Sequence, residues 1–332
     1  MQETGSNTTG YLDRIRIRSG NEAIKAGFLK TGQSSREKAA AQMNQSGLRF
    51  ATLFILWPEI DALSLDADLI PRNRTALAFC RRILRGAELS SDPGESSGGR
   101  DEPTHSALKW MFLTGAQDDG LSNEFDQMMD VAASHLIRTF HDADILPELV
   151  RMIFRRNRKG YYIHDLVWAL FSSRDPRILS LIARYLRSQG SKDAALAAKL
   201  LKNTPLEEAG AAAQNRGYAP YLSWLSENQP YLYFTQDGFH QSSDPTLCSV
   251  DLGAKYLCRK ISPQDRQPSD SFSQSDYSHL DAFRQREEAE MALLAKYSHR
   301  LHRTNAAHWN KWMEYPIEQQ IQIARKRLGG AS

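Results

Sequence analysis

Cysteines are few and long apolar runs are missing, and both absences limit the class of protein. The 332 residues include only three cysteines, Cys80, Cys248 and Cys258, and no CxxC pair. This usage favours a reducing compartment over a disulfide framework. The longest strongly apolar run, 50–57, is less than half a membrane span and stops at Pro58. No charged and apolar secretory signal opens the chain. We therefore expect a soluble cytoplasmic protein without membrane contact.

The sequence also lacks a large excess of either sign of charge. The formal net charge is +3, from 42 Lys and Arg against 39 Asp and Glu. A case for nucleic acid or an anionic membrane must therefore come from local clusters. The sequence also lacks GxxxxGK[ST], GxGxxG after a strand, HExxH and HxxEH. We predict no cofactor, and a small-molecule enzyme ranks third among the functions considered.

Composition divides the chain into segments. Residues 1–45 are polar and are expected to form a flexible arm. A helical-repeat domain is predicted over 46–261, with a loop insertion at 88–103 that holds four serines, three glycines and two prolines. A linker at 262–278 precedes a C-terminal helical segment, 279–332.

Helical periodicity dominates the middle of the chain. Between Thr104 and Asn203 apolar residues recur at spacings of three and four, and no alternating strand interrupts them. Possible caps such as Ser122 and Asp175 precede several of these runs. The pattern predicts helices at 104–115, 122–140, 144–157, 161–172, 176–188 and 192–203.

A repeat of 33 residues underlies these helices. Moving 142–171 by 33 positions superposes Asp142 on Asp175, Ile145 on Ile178, Leu146 on Leu179, Leu149 on Ile182, Ile153 on Leu186, Ile163 on Leu196 and Val167 on Leu200. Helix pairs that repeat in this way bury their faces by stacking on their neighbours. Residues 104–204 thus resemble HEAT-like or armadillo-like helical repeats. The resemblance implies a mostly α fold with a short α-solenoid, and a plain helical bundle is the alternative.

An aromatic stretch follows the repeats. Seven of the 23 residues from 218 to 240 are aromatic. The first half predicts a helix, and the second half predicts a small β-hairpin with an Asp-Gly turn and a return through FHQSS. Tyr231, Tyr233 and Phe234 of this hairpin would either anchor a protein partner or cap the core of the repeats.

Four arginines form a candidate phosphate or nucleic-acid site. The 33-residue offset places Arg151 on Arg184, so stacked repeats would hold both in a ladder, with Arg155 and Arg187 nearby. Guanidinium groups engage phosphate and carboxylate in forked hydrogen bonds. The alternative is a solvated helix end, where basic residues suit the helix dipole.

Two weaker candidates concern catalysis and metal. Asp165 and Trp168 share a helix face, and together with the arginines this resembles helical-repeat DNA glycosylases, which would make Asp165 catalytic. The repeat instead aligns Trp168 with Leu201, as expected for a core residue. His299 and His302, three apart on a predicted helix, could share a metal, but no clear further ligand completes the site.

The favoured function is non-catalytic: an interaction or scaffold protein that presents a helical surface to another protein. The alternative is a nucleic-acid or phosphate-binding protein that uses the arginine ladder, with glycosylase-like catalysis at Asp165.

Overall fold

The structure, a computed structural model, describes residues 10–86, 102–202, 217–235, 237–242 and 244–329. These residues form seventeen α-helices and one two-stranded antiparallel sheet, which confirms the expected mostly helical class. None of the described helices is both long enough and apolar enough to cross a bilayer. All but the last two residues of the predicted insertion 88–103 lie outside the described residues.

The chain separates into two compact units, and each is built from two pieces of sequence. Unit 1 comprises Met1–Arg156 and Asp165–Ser173, and unit 2 comprises Asn157–His164 and Arg174–Ser332. The helices up to the second piece of unit 1 are α1 Tyr11–Ser34, α2 Arg36–Met43, α3 Phe50–Ile55, α4 Trp57–Ala62, α5 Pro71–Leu84, α6 Glu102–Gly115, α7 Asn123–Arg138, α8 Leu146–Lys159 and α9 His164–Ser172.

In the segment expected to be a flexible arm, residues 1–9 lie outside the described residues, and Tyr11–Ser34, which bends at Gly20, and Arg36–Met43 are helices. Its few apolar residues are well placed, because Ile24 and Phe28 are one helical turn apart and both are buried. A buried polar network also holds α1. Thr52 Oγ1 donates to Asp13 Oδ1 at 2.6 Å, and Arg16 Nε donates to Thr52 Oγ1 at 2.9 Å.

The core of unit 1 is aromatic where α3, α6 and α7 meet. Phe50 and Phe125 stack with their ring centroids 5.3 Å apart. Gly115, the last residue of α6, leaves room for this packing, since a Cβ there would lie 2.7 Å from Met129 Sδ. Ser122 caps α7 by accepting a hydrogen bond from the Phe125 backbone N–H.

A second buried polar network joins α7 and α8. The Arg156 side chain is only 3% exposed, and its Nε donates to Asp119 Oδ1 at 2.8 Å. Its Nη1 donates to Asp130 Oδ2 at 3.0 Å. Burial raises the pKa of Asp130 from its ordinary value to about 6, although the neighbouring Arg156 opposes the rise. The Arg156 guanidinium therefore pairs with two carboxylates.

Two turns that lie 33 residues apart share a local geometry. His141 and Arg174 both have positive φ, 52° and 49°. The aspartate that follows each of them, Asp142 or Asp175, accepts a hydrogen bond from the backbone N–H two residues on, at 3.0 and 2.9 Å. Such Asx turns start helices. The solenoid arrangement of the helix pairs stays a prediction.

Unit 2 contains the remaining helices and the sheet. Its helices after the crossing are α10 Arg177–Ala183, α11 Ser191–Lys202, α12 Tyr218–Asn228, α13 Leu252–Tyr256, α14 Gln274–Arg284, α15 Glu288–Thr304, α16 Ala306–Met313 and α17 Ile317–Gly329. Its strands are β1 Leu232–Phe234 and β2 Cys248–Val250. The helix predicted over 176–188 ends earlier, and Arg184–Arg187 form a 3₁₀ turn.

The sheet pairs differently from the predicted hairpin. Leu232 lies opposite Val250, and Phe234 lies opposite Cys248. The expected return through FHQSS is wrong, because that segment has little to bury, whereas Leu247 and Cys248 are both buried. Pairing therefore follows the apolar residues rather than the nearest turn.

A helix begins inside the expected linker 262–278. Ser273 and Asp276 form a capping box, in which each side chain accepts from the other's backbone N–H, and α14 starts at Gln274. A capping box uses residues that are close in sequence, so α14 starts before its first buried apolar residue, Leu280.

The C-terminal helices enclose a core of their own around Tyr256. Its ring stacks on Phe283 with centroids 4.6 Å apart, and its hydroxyl donates to Gln320 Oε1 at 2.8 Å. Ser298, fully buried on α15, donates to the Tyr256 carbonyl and accepts the Trp309 indole N–H at 2.7 Å. One hydroxyl thus satisfies polar groups from two other segments.

Candidate functional site

The four arginines of the predicted ladder are divided between the units. Arg151 and Arg155 lie on α8 in unit 1, where both approach Glu148, at 2.7 and 3.6 Å. Arg155 also donates to the carbonyl of Ala116. The structure therefore gives the first two arginines a carboxylate of their own within unit 1.

The other two arginines occupy the 3₁₀ turn of unit 2. Arg184 and Arg187 are exposed and lie three residues apart, which places them on one face of a 3₁₀ turn. The Arg187 guanidinium lies 4.7 Å from the centre of the Tyr218 ring. They form a small basic pair, and the ladder itself stays a prediction.

Asp165, the predicted catalytic residue, is exposed in the first turn of α9. Its charge contributes to the raised pKa of Asp130 in the same unit. Trp168 is half-buried, and the Arg138 guanidinium lies 4.3 Å from the centre of its ring. A cation over an indole face stabilises a packed arrangement, so the contact gives Trp168 a structural partner.

Of the three aromatic residues predicted to bind a partner, Tyr231 and Phe234 are buried inside unit 2. Tyr233 is half-buried, and the Arg266 guanidinium lies 4.4 Å from the centre of its ring. Tyr231 packs in a small cluster with Ala254 and Ile261. The structure therefore places two of the three in the interior rather than on an accessible surface.

A basic cleft of about 430 Å³ lies in unit 2. α15 supplies most of its wall, with residues 296, 299, 300, 303 and 304 on one helical face. α12 contributes Glu227, α13 contributes Lys255 and α17 contributes Leu328. The full lining is Glu227, Lys255, Lys296, His299, Arg300, Arg303, Thr304 and Leu328.

Positive charge dominates this lining. Two lysines and two arginines face a single carboxylate, that of Glu227. A concave surface lined by one sign of charge focuses its field and concentrates counter-ions. The arrangement is suited to hold an anion.

Lys255 strengthens that field because it is only 5% exposed. Its Nζ donates to Asn228 Oδ1 at 2.8 Å. The short helix α13 that carries it is capped by Asp251, whose Oδ1 accepts the Ala254 N–H at 2.8 Å. A buried ammonium is screened less by water than an exposed one, so its attraction for an anion is larger.

His299 also lines the cleft. Its Nδ1 lies 3.1 Å from the Tyr231 hydroxyl, while its buried Nε2 has no hydrogen-bond partner among the described residues. Burial lowers the pKa of His299, and the nearby charges of Lys255 and Arg303 lower it further. Burial also raises the pKa of Tyr231, so its hydroxyl keeps its proton. When that hydroxyl donates to Nδ1, Nε2 carries the imidazole proton.

The predicted metal pair is not assembled into a metal site. His302 is exposed, and its ring lies edge-on to Trp309 with centroids 4.9 Å apart. Within the described ranges, no three His, Cys, Asp or Glu side chains come together in a way that could hold a metal ion. His299 instead hydrogen-bonds to Tyr231.

Comparison with models of known families, with curated proteins and with solved structures found no match for this chain. The site must therefore be interpreted from its own geometry.

The sequence carries one signal for the cleft besides the histidine pair, namely a row of basic residues. Lys296, Arg300 and Arg303 follow at spacings of four and three, which places three cations on one helix face. Lys255 and Glu227 carried no such signal, because they come from other helices.

Proposed function

We propose that this protein is a non-catalytic binding protein whose cleft in unit 2 holds a small phosphate-bearing ligand. One observation carries the proposal: four Lys and Arg side chains line one cleft that has a single carboxylate.

The chemistry of the lining fits phosphate. Arg300 and Arg303 offer forked donors that match phosphate oxygens, whereas Lys255 and Lys296 act as compact charges. A volume of about 430 Å³ falls in the range of small-molecule pockets.

The sequence favours a protein-interaction or scaffold function, and phosphate binding is its alternative; the proposed function takes that alternative with other residues. It moves phosphate recognition from the arginine ladder to α15 and α13. A protein partner for the helical surface remains a prediction.

Calorimetric titration with pyrophosphate at low salt tests the proposal. We expect the Arg300→Ala/Arg303→Ala double variant to bind at least tenfold more weakly, since each lost cation removes on the order of 1 kcal/mol or more of attraction to the anion. Arg151→Ala is the matched control, because Arg151 is 61% exposed, lies in unit 1 and already pairs with Glu148. No binding of pyrophosphate by the unaltered protein, or equal binding by the double variant, would disprove the proposal.

A further inference from the structure

Three aromatic rings form a column in unit 2, apart from the residues that line the cleft. The His164 and Phe239 rings stack at 5.6 Å with an interplanar angle of 19°, and the Tyr162 ring lies 4.8 Å from His164 with its plane tilted by 50°. Lys199 Nζ lies 5.0 Å from the centre of the Phe239 ring. The column thus has a cation at one end and Tyr162 at the other.

The Tyr162 end of the column is open to solvent. Tyr162 is 56% exposed and its neighbour Tyr161 is 45% exposed. They follow Gly160, whose φ of +75° ends α8 and begins the turn that carries both rings. Two adjacent tyrosines held at the surface present a large flat apolar area beside polar hydroxyls, a combination enriched at binding sites.

The surroundings of these rings are basic. Lys159 Nζ lies 5.5 Å from the centre of the Tyr161 ring, and Lys192 Nζ donates to the carbonyl of Arg158 at 2.9 Å. Arg158 itself pairs with Asp193 at 3.0 Å. Together with Lys199, this corner of unit 2 carries four cations and the carboxylate of Asp193.

We propose that Tyr161 and Tyr162 form a stacking site for single-stranded nucleic acid, with a base on the exposed Tyr162 ring and phosphates near Lys159 and Lys199. Exposed rings that alternate with cations are how proteins bind single strands, because every base has a flat face and every linkage a negative charge. An apolar surround would favour a protein partner, whereas Lys159 lies over the Tyr161 ring and the neighbouring side chains Arg158 and Lys192 are also basic. The site shares no residue with the phosphate-binding cleft, so it does not depend on the function proposed above.

Fluorescence anisotropy with a labelled oligothymidylate of about twelve nucleotides tests this site. Stacking of one base accounts for roughly a tenfold change or more in affinity. We expect Tyr162→Ala to weaken binding by that factor and Tyr162→Phe, which keeps the ring, to bind as the unaltered protein does. Lys159→Ala/Lys199→Ala should weaken binding and reduce its salt dependence.

Two controls separate stacking from charge and from the loss of an unrelated cation. An abasic oligomer of the same length should bind the unaltered protein about as weakly as the thymidylate binds Tyr162→Ala. Arg151→Ala, at an exposed arginine of unit 1 that pairs with Glu148, should leave thymidylate binding unchanged. Failure to bind the thymidylate, equal binding of both oligomers, or no effect of Tyr162→Ala would each overturn the proposal. Because Tyr162 is exposed, circular dichroism should show all variants folded. A protein that co-purifies with the unaltered chain but not with Tyr162→Ala, without oligonucleotide binding, would assign the surface to a protein instead.

Discussion

Replacing Arg156 with Met should destabilise unit 1 strongly. The guanidinium is 3% exposed and pairs with both Asp119 and Asp130. Removing one partner of a buried ion pair leaves uncompensated charge and costs about 3–5 kcal/mol. With a urea dependence of about 2 kcal/mol per molar, the unfolding midpoint of unit 1 should fall by about 2 M.

The loss should depend on pH with a definite sign. The folded pKa of Asp130 is raised to about 6, so the stability that this group contributes is fully present below its unfolded pKa and is lost as pH rises through about 6. Without Arg156, no guanidinium opposes the effect of burial, so the pKa of Asp130 in the folded state rises further. The stability contributed by protonated Asp130 is then still being lost at higher pH. The destabilisation by Arg156→Met should therefore be larger at pH 7.5 than at pH 5.

Urea unfolding followed by circular dichroism at both pH values measures this effect. Arg151→Met on the same helix is the control. Its exposed ion pair with Glu148 should contribute less than about 1 kcal/mol, with little pH dependence. A shift for Arg156→Met no larger than that of the control, or a larger loss at pH 5 than at pH 7.5, would refute the reasoning.

Three further predictions concern packing, a buried hydroxyl and the cleft. Gly115→Ala should lower the thermal midpoint, at a cost of about 1–3 kcal/mol, because its Cβ would lie 2.7 Å from Met129 Sδ. Gly27→Ala, with nothing within 4 Å, should instead raise it, by roughly 0.5–1 kcal/mol. Ser298→Ala should cost about 1–3 kcal/mol in chemical denaturation, because it strands a buried carbonyl and an indole N–H. Sulfate, whose charge is constant over this range, should bind more tightly at pH 5.5 than at pH 7.5. Burial and nearby cations lower the pKa of His299, and a bound anion raises it again, so sulfate binding is coupled to protonation of His299. Calorimetry of His299→Gln should show that dependence lost.

The helices of the middle region could be predicted because their apolar residues keep a strict helical period. α6 to α11 lie close to the predicted ranges. The N-terminal helices could not be predicted in the same way, because α1 buries only a few apolar residues, among them Ile24 and Phe28, and relies on polar contacts with Asp13 and Arg16. A search for apolar periodicity misses polar networks of this kind.

The site was harder to predict than the fold. One face of α15 could be recognised from Lys296, Arg300 and Arg303. Lys255 joins them only after the chain has folded, and the role of His299 depends on a hydrogen bond to Tyr231, 68 residues away. Pairing between distant residues carries no local signal, which also explains why the partner of β1 was predicted in the wrong place.

The interleaved order of the two units has a consequence for how the chain can be made and cut. Unit 1 takes Asp165–Ser173 into its fold, including the buried Leu166, Val167 and Leu170, although residues 157–164 before them belong to unit 2. On the ribosome, unit 1 therefore cannot complete its core until residue 173 has emerged. A fragment that ends at Arg156 would lack those apolar side chains and should aggregate or unfold, whereas a fragment that ends beyond Ser173 retains them.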